Sequence, residues 1–542
     1  MHPGIAPPVV NRCAPAVRRV EVVATAPRPF PATLVATLLI LGWVALGLAY
    51  LGWFCPLDLS PDEAHYWHWS RRLDWSYYSK GPLVAWLIRG SCELFGTSAF
   101  AVRVPAVLSS AALLAAVFVL ARDALRDGRA AVAVVAVAMT LPPVTAASVL
   151  MTIDPPFLAC WAWALVGVMR GVERRAPRWW LVAGVCSGLG VLAKYPMLLL
   201  PAAVLGFLLA RRRDELRRPG IWLFLALTAL GLLPIVVWNA AHDWVSLRHT
   251  LGQSGVGDGV KPRPVEWRNP LGFVATQAGV LLGTGFAAFA AAGYAFRRAA
   301  DPRLSLLWWA AVPVWGLFLA ASLRNPGQPN WPAAAYVGGL VLAAAWVRGR
   351  GLRRVVVGTA VVGLVGSVSL RFPAVWLPVL VQLTAAPTET NPTPVRRLDA
   401  TARLRGWRTL AAEVDRVRER VERETGRDPV LAATRWTTPG ELSFYCRGRP
   451  EAYSFGPALE DRSSQYDLWR PNPTADAQAF RGRTFIYVGE AIPAADRVFD
   501  RVEAPFRVVH AEQGIPVSVW TVWVMHGFRG FPEGYRLTRP TY

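Results

Sequence analysis

Along the first two thirds of the chain the hydrophobic positions follow neither a 3.6-residue stripe nor strict alternation; they run on unbroken. Nearly uncharged apolar stretches occupy 33–51, 102–121, 130–148, 155–169, 179–194, 196–210, 221–239, 271–296, 304–322, 332–347 and 355–370. Runs of this kind suit helices crossing a hydrocarbon core about 30 Å thick, at about 1.5 Å of rise per residue. The pattern predicts eleven transmembrane helices. It changes after residue 383, where a Pro/Thr-rich linker at 385–394 leads into a charged helix at 401–425 and β-rich runs at 484–488 and 517–524. The predicted fold is an α-helical polytopic membrane protein with a C-terminal α/β domain. Its parts are a tail at 1–30, a membrane domain at 31–383 and an outer domain at 384–542.

Composition strengthens this reading. Only 17% of the 542 residues are charged and 54% are hydrophobic, whereas soluble domains carry about 25% charged residues. So little polar surface cannot cover a water-soluble body of this size. The net charge of +22 would suit nucleic acid only if it gathered on a soluble face. Instead it lies in every second loop: Arg122, Arg126 and Arg129; Arg170, Arg174, Arg175 and Arg178; Arg211, Arg212, Arg213, Arg217 and Arg218; Arg297, Arg298 and Arg303; Arg348, Arg350, Arg353 and Arg354. By the positive-inside rule these loops are cytoplasmic, together with the tail that carries Arg12, Arg18, Arg19 and Arg28. An odd number of spans then puts 384–542 outside. The chemistry is sought on that outer side, in a first loop at 52–101, a loop at 240–270 and the C-terminal domain. Cys55 and Cys92 share the first loop, where an oxidising compartment permits a bridge.

The first loop opens with Ser60-Pro-Asp62-Glu63-Ala-His-Tyr-Trp. Two carboxylates directly after a membrane helix can serve a reaction at the membrane surface, or they can simply favour a helix N-terminus after Ser60-Pro61. A second outer acid, Asp154 before Pro155 and Pro156, follows about 24 residues without charge. An isolated acid at membrane depth is expensive and is a functional candidate; helix capping is its plainer role. Lysine usage adds a further signal, since Lys80, Lys194 and Lys261 are the chain's three lysines among 58 basic residues and all fall on the outer side. A compact ammonium suits a phosphate, and it also suits the interface, where lysines snorkel.

These residues resemble a family. Ser60 to Trp67, Tyr77-Tyr78-Ser79-Lys80-Gly-Pro82, Arg103-Val-Pro105, Asp154, Gly188 to Pro196, Trp238-Asn239 with His242, Pro329-Asn-Trp331-Pro, Glu441 to Tyr445 and Ser464 to Trp469 are similar to the bacterial GT-C glycosyltransferases. Those are the family 39 enzymes related to lipid A aminoarabinose transferases and protein O-mannosyltransferases. The resemblance implies transfer of a hexose or pentose from a polyprenyl-phosphate-sugar donor to lipid A, another envelope glycan or a protein. It further implies a catalytic set of Asp62, Asp154 and Glu63, donor phosphate binding by Lys80 and Lys194, and a pocket that includes Tyr78, Trp331 and His249. Where the aminoarabinose transferases place a metal-binding acid before the first-loop lysine, this chain has Ser79. A divalent metal, the one cofactor in view, would therefore fall to Glu63 with His249 or His242. Two other readings stay open: a flippase for a lipid-linked sugar, and a non-catalytic envelope scaffold bound through its C-terminal domain. No nucleic-acid partner is expected.

Overall fold

Two of the apolar stretches break, one before a proline and one at a glycine, while three others keep an interior proline and stay whole. The computed structural model describes residues 30–253, 264–459, 461–532 and 535; the tail at 1–29 and Lys261 lie outside the described residues. The chain forms α1 (Ala32–Ala49), α2 (Pro61–Ser70), α3 (Leu83–Phe95), α4 (Ala99–Leu125), α5 (Gly128–Thr140), α6 (Pro142–Val149), α7 (Asp154–Arg174) and α8 (Pro177–Ala193). There follow α9 (Leu199–Arg211), α10 (Pro219–Ala241), α11 (Val245–Gln253), α12 (Arg268–Val280), α13 (Thr284–Ala295), α14 (Pro302–Ser322), α15 (Ala333–Gly349) and α16 (Arg353–Arg371).

Among the described residues, six helices are long and apolar enough to cross a membrane: Ala32–Phe54, α4, α7, α10, α14 and α16. The chain is a multi-pass membrane protein. Eleven straight spans were expected, and five of those stretches depart from that: 179–194, 196–210 and 332–347 form no span-length apolar helix, and two more are bent. The stretch 130–148 breaks into α5 and α6, bent by 68°, because Leu141 precedes Pro142 and takes an extended backbone that ends the helix. The stretch 271–296 breaks into α12 and α13, bent by 113° where Leu282 and Gly283 both adopt positive φ. Tyr195–Arg211 and α15 are apolar but shorter.

The basic loops gather at one end of the bundle. Arg170 Nε lies 2.7 Å from Asp123, Arg303 pairs with Glu173 and donates to the Asp123 carbonyl, and Arg348 lies 2.9 Å from Asp127. Helix α7 runs from that end, at Arg174, to Asp154 at the other, a rise of about 30 Å over its 21 residues. Asp154 therefore stands a membrane thickness away from the arginine clusters.

After α16 come α17 (Leu377–Gln382), α18 (Trp407–Thr425), β1 (Val430–Ala433), α19 (Pro439–Tyr445), β2 (Ala452–Ser454), β3 (Phe485–Val488), β4 (Phe499–Val502), β5 (Phe506–Glu512) and β6 (Ile515–Phe528). The six strands make one sheet in the order β2-β1-β3-β6-β4, with β5 also on β6; β1 is parallel to β2 and β3, and the pairings to β6 are antiparallel. This layer sits on the acid end of the bundle. The buried Asp58 carboxylate accepts the Trp407 N–H at 2.8 Å and pairs with Arg408 at 3.1 Å, which seats the start of α18. His68 lies 2.9 Å from Glu451. Helix α19 approaches α2 so closely that a Cβ at Gly440 would stand 2.8 Å from the Ala64 carbonyl carbon, so only glycine fits there.

All five cysteines among the described residues are free thiols, so the bridge allowed between Cys55 and Cys92 does not form. The Cys55 sulfur instead lies 3.4 Å from Arg103 Nη1.

Candidate active site

Helix α2 begins with a capping box. Ser60 Oγ accepts the Glu63 N–H, and the Glu63 carboxylate accepts the Ser60 N–H. One residue on a helix turns through about 100°, so Asp62 and Glu63, though adjacent, leave the axis in different directions. Glu63 points inward and is fully buried. Its Oε1 accepts Arg103 Nε and the Met151 N–H, both at 2.9 Å; its Oε2 accepts Arg103 Nη2 at 2.9 Å and the Ser60 N–H at 2.8 Å. All its acceptor positions are used. Glu63, expected among the catalytic acids and as a metal ligand, is held here as the sealed partner of Arg103. Among the described residues no three His, Cys, Asp or Glu side chains assemble as a metal site.

Asp62 points the other way, into a recess between the membrane helices and the strand layer. Its Oδ2 lies 3.1 Å from Arg403 Nη2, and its side chain is 35% exposed. Burial by the walls of the recess pushes its pKa above the usual carboxylate range, against the pull of Arg403, Lys80 and Arg462. One turn along α2, the buried Tyr66 phenol is pushed well up by burial and then by Asp62 and Asp154, which places it in reach of both acids.

Asp154 stands in the first turn of α7 without capping it. Its Oδ1 accepts Lys194 Nζ at 2.7 Å and its Oδ2 accepts Asn330 Nδ2 at 2.5 Å. Lys194 reaches it because α8 ends at Ala193: Pro196 follows shortly, Lys194 is in extended backbone, and its side chain is freed from the helix wall. Lys80 is brought to the same place by its neighbour, Gly81. A Cβ at Gly81 would sit 2.2 Å from the Leu192 carbonyl oxygen, so only glycine lets the Lys80 loop lie flat on the chain just before Lys194. The Lys80 amine is held down to about 8 by burial and by Lys194, with Asp62 and Asp154 opposing.

Tyr78 and His249 complete the recess. The Tyr78 N–H donates to Gln465 Oε1 at 2.7 Å, and its ring lies 4.9 Å from His249. Burial lowers His249 to about 3, with Arg462 and Lys80 adding to the shift, so its imidazole stays neutral near neutral pH. Trp331 is half-buried with its ring 6.2 Å from Phe318; its neighbour Asn330 is the residue that touches Asp154. The expected residues Asp62, Asp154, Lys80, Lys194, Tyr78 and His249 thus share one electrostatic neighbourhood. The sequence reading missed Arg403, Arg462 and Asn330. The arginines come from the C-terminal third, where they look like ordinary surface charge, and Asn330 was passed over for the tryptophan beside it.

The chain is similar to known proteins in sequence and in fold. A family profile described as dolichyl-phosphate-mannose-protein mannosyltransferase matches residues 79–238, which include Lys80, Asp154 and Lys194. The chain is 33% identical over 315 residues to the lipid A galacturonosyltransferase RgtD of Rhizobium johnstonii, covering 56% of this chain and 64% of that protein. It is 28% identical over 196 residues to an undecaprenyl phosphate-α-4-amino-4-deoxy-L-arabinose arabinosyl transferase of Pseudomonas fluorescens, covering 34% of that protein. The crystal structure of ArnT from Cupriavidus metallidurans bound to undecaprenyl phosphate superposes with a TM-score of 0.59 at 16% identity, covering 91% of this chain and 97% of that one.

Proposed function

We propose, from the premise that this chain belongs to the GT-C superfamily of glycosyltransferases, that it moves a sugar from a polyprenyl-phosphate donor to an envelope acceptor of the lipid A class. The observation that carries the proposal is the convergence of Asp62, the Asp154–Lys194 pair and Lys80 in one recess at the membrane surface. The two curated relatives are named for lipid A and undecaprenyl-phosphate chemistry, which supports both halves of the reading.

The residues suit a direct displacement. The acceptor hydroxyl oxygen bonds to the anomeric carbon as the bond from that carbon to the phosphate oxygen breaks. Asp62, more basic than a surface carboxylate, takes the hydroxyl proton, and Arg403 keeps it ionised and aimed. Lys80 receives the negative charge that develops on the phosphate. Lys194 is already matched by Asp154, so the pair fixes the wall against which the phosphate rests, and Asn330 holds the second Asp154 oxygen. In this reading Asp62 is the base and Asp154 a positioning residue. The basic loops face the cytoplasm, and the recess and strand layer face the periplasm.

The test is transfer by the purified full chain in proteoliposomes, with an undecaprenyl-phosphate sugar and lipid A supplied. Asp62→Asn lowers kcat about 10³-fold, or about 4 kcal/mol, with folding unchanged. Full activity in the well-folded variant rules out this role.

A further inference from the structure

At the end of the bundle away from the recess, α4, α7 and α14 bring their charged ends round a cavity of about 390 Å³. Six residues line it, and all six are charged: Arg122, Asp123 and Arg126 at the end of α4, Glu173 and Arg174 at the end of α7, and Arg303 at the start of α14. Both acids are already matched. Arg170 reaches Asp123 at 2.7 Å, and Glu173 pairs with Arg303, which also donates to the Asp123 carbonyl. Arg126 and Arg174 enter no ion pair and no side-chain hydrogen bond among the described residues. The acid next to Arg126 in the chain, Asp127, is spent on the first turn of α5 and on Arg348. The Arg174 guanidinium carbon lies 5.7 Å from the centre of the Trp179 ring, which offers it no hydrogen-bond acceptor. Five guanidiniums thus meet two carboxylates, and the surplus sits on the two arginines without partners.

Basic loops orient a membrane protein without binding anything, and most arginines of this chain need no other role. The space beside this cluster sets it apart. A second cavity, of about 360 Å³, shares Arg126, Glu173 and Arg303 with the first and continues onto Met169, Val172, Phe207 and Leu306, apolar residues of α7, α9 and α14. A charged mouth over an apolar floor, set between membrane helices, matches the two halves of a phospholipid: an anionic phosphate ester and the hydrocarbon joined to it. Guanidinium forks hold phosphate oxygens through parallel N–H···O bonds, and basic pockets between helices at this surface suit anionic headgroups. A free phosphate would use the mouth and leave the floor bare. We infer that Arg126 and Arg174 hold the headgroup phosphate of an anionic phospholipid, seated between α4, α7 and α14 in the leaflet opposite the recess. The site lies about 30 Å along α7 from Asp154 and does not depend on the transfer reaction proposed above; only the name of that leaflet, the cytoplasmic one, comes from the orientation given there.

In the experiment the full chain is stripped of lipid in detergent and titrated with phosphatidylglycerol or with phosphatidylcholine, and native mass spectrometry counts the lipid that binds. The wild type takes up a single phosphatidylglycerol about 30-fold more tightly than phosphatidylcholine. Arg126→Gln with Arg174→Gln removes that preference. Arg350→Gln with Arg354→Gln, at two exposed arginines of another basic loop, leaves it within about twofold. Equal binding of the two lipids by the wild type overturns the inference, and that comparison needs no variant to fold. So does an equal loss in the Arg350 and Arg354 control, which means diffuse attraction to any basic loop. Inorganic phosphate that displaces the lipid from the wild type at matched concentration also overturns it, because the apolar floor then contributes nothing.

Discussion

Asp62 and Glu63 are neighbours in the chain and opposites in the fold. Glu63 and Arg103 are 0% and 1% exposed, and four hydrogen bonds use every acceptor position of the carboxylate. Asp62 and Arg403 are 35% and 54% exposed, with one contact at 3.1 Å. The first pair ties α2 to α4 and to the turn before α7; the second leaves its acid room to accept a proton. Saturation, more than residue type or spacing, separates the carboxylate that builds the site from the one that can react in it.

The sharpest way to break this comparison is to remove the sealed acid. Glu63→Gln leaves Arg103 buried without its counter-charge and costs about 3–5 kcal/mol, read as a lower thermal midpoint in detergent. Asp62→Asn leaves the midpoint almost unchanged. Replacing both Glu63 and Arg103 with apolar residues of similar volume recovers much of the loss, as expected when the lone charge is the cost. The Asp154–Lys194 pair lies between the extremes, with side chains 16% and 9% exposed. Asp154→Asn and Lys194→Met each lower kcat/KM about 10- to 100-fold, and the double variant falls little further, because the two act as one unit. Additive losses would show that they serve separate steps.

The smallest effect is in pH. The Lys80 amine sits at about 8, so its ammonium is intact at pH 7 and is lost as pH rises through about 8. Because kcat/KM reports groups of the free enzyme, donor kcat/KM falls about tenfold between pH 7 and pH 9. Lys80→Arg removes the bend, since a guanidinium stays protonated throughout.

Much of this was legible in one dimension. Apolar run length marked the membrane helices, the rarity of lysine marked Lys80 and Lys194, and β-branched runs marked the sequences of β3 and β6. The inward turn of Glu63 also had a signal, since Ser60 and Glu63 stand in capping-box spacing and a helix that spends one acid on its own start has one left for chemistry. The breaks at Leu141 and Leu282 were harder, because hydropathy counts apolar residues without regard to backbone direction. Arg403 and Arg462 were out of reach: they meet Asp62 across about 340 and 400 residues of chain, and no local pattern encodes such a meeting.

The contact of Gly440 with Ala64 makes the strand layer a lever. Two backbones that meet without side chains between them have no slack, and Asp62 lies just before Ala64 on a short, rigid helix. The seating of the strand layer therefore also sets where the acid stands, so the two parts of the molecule are positioned as one piece.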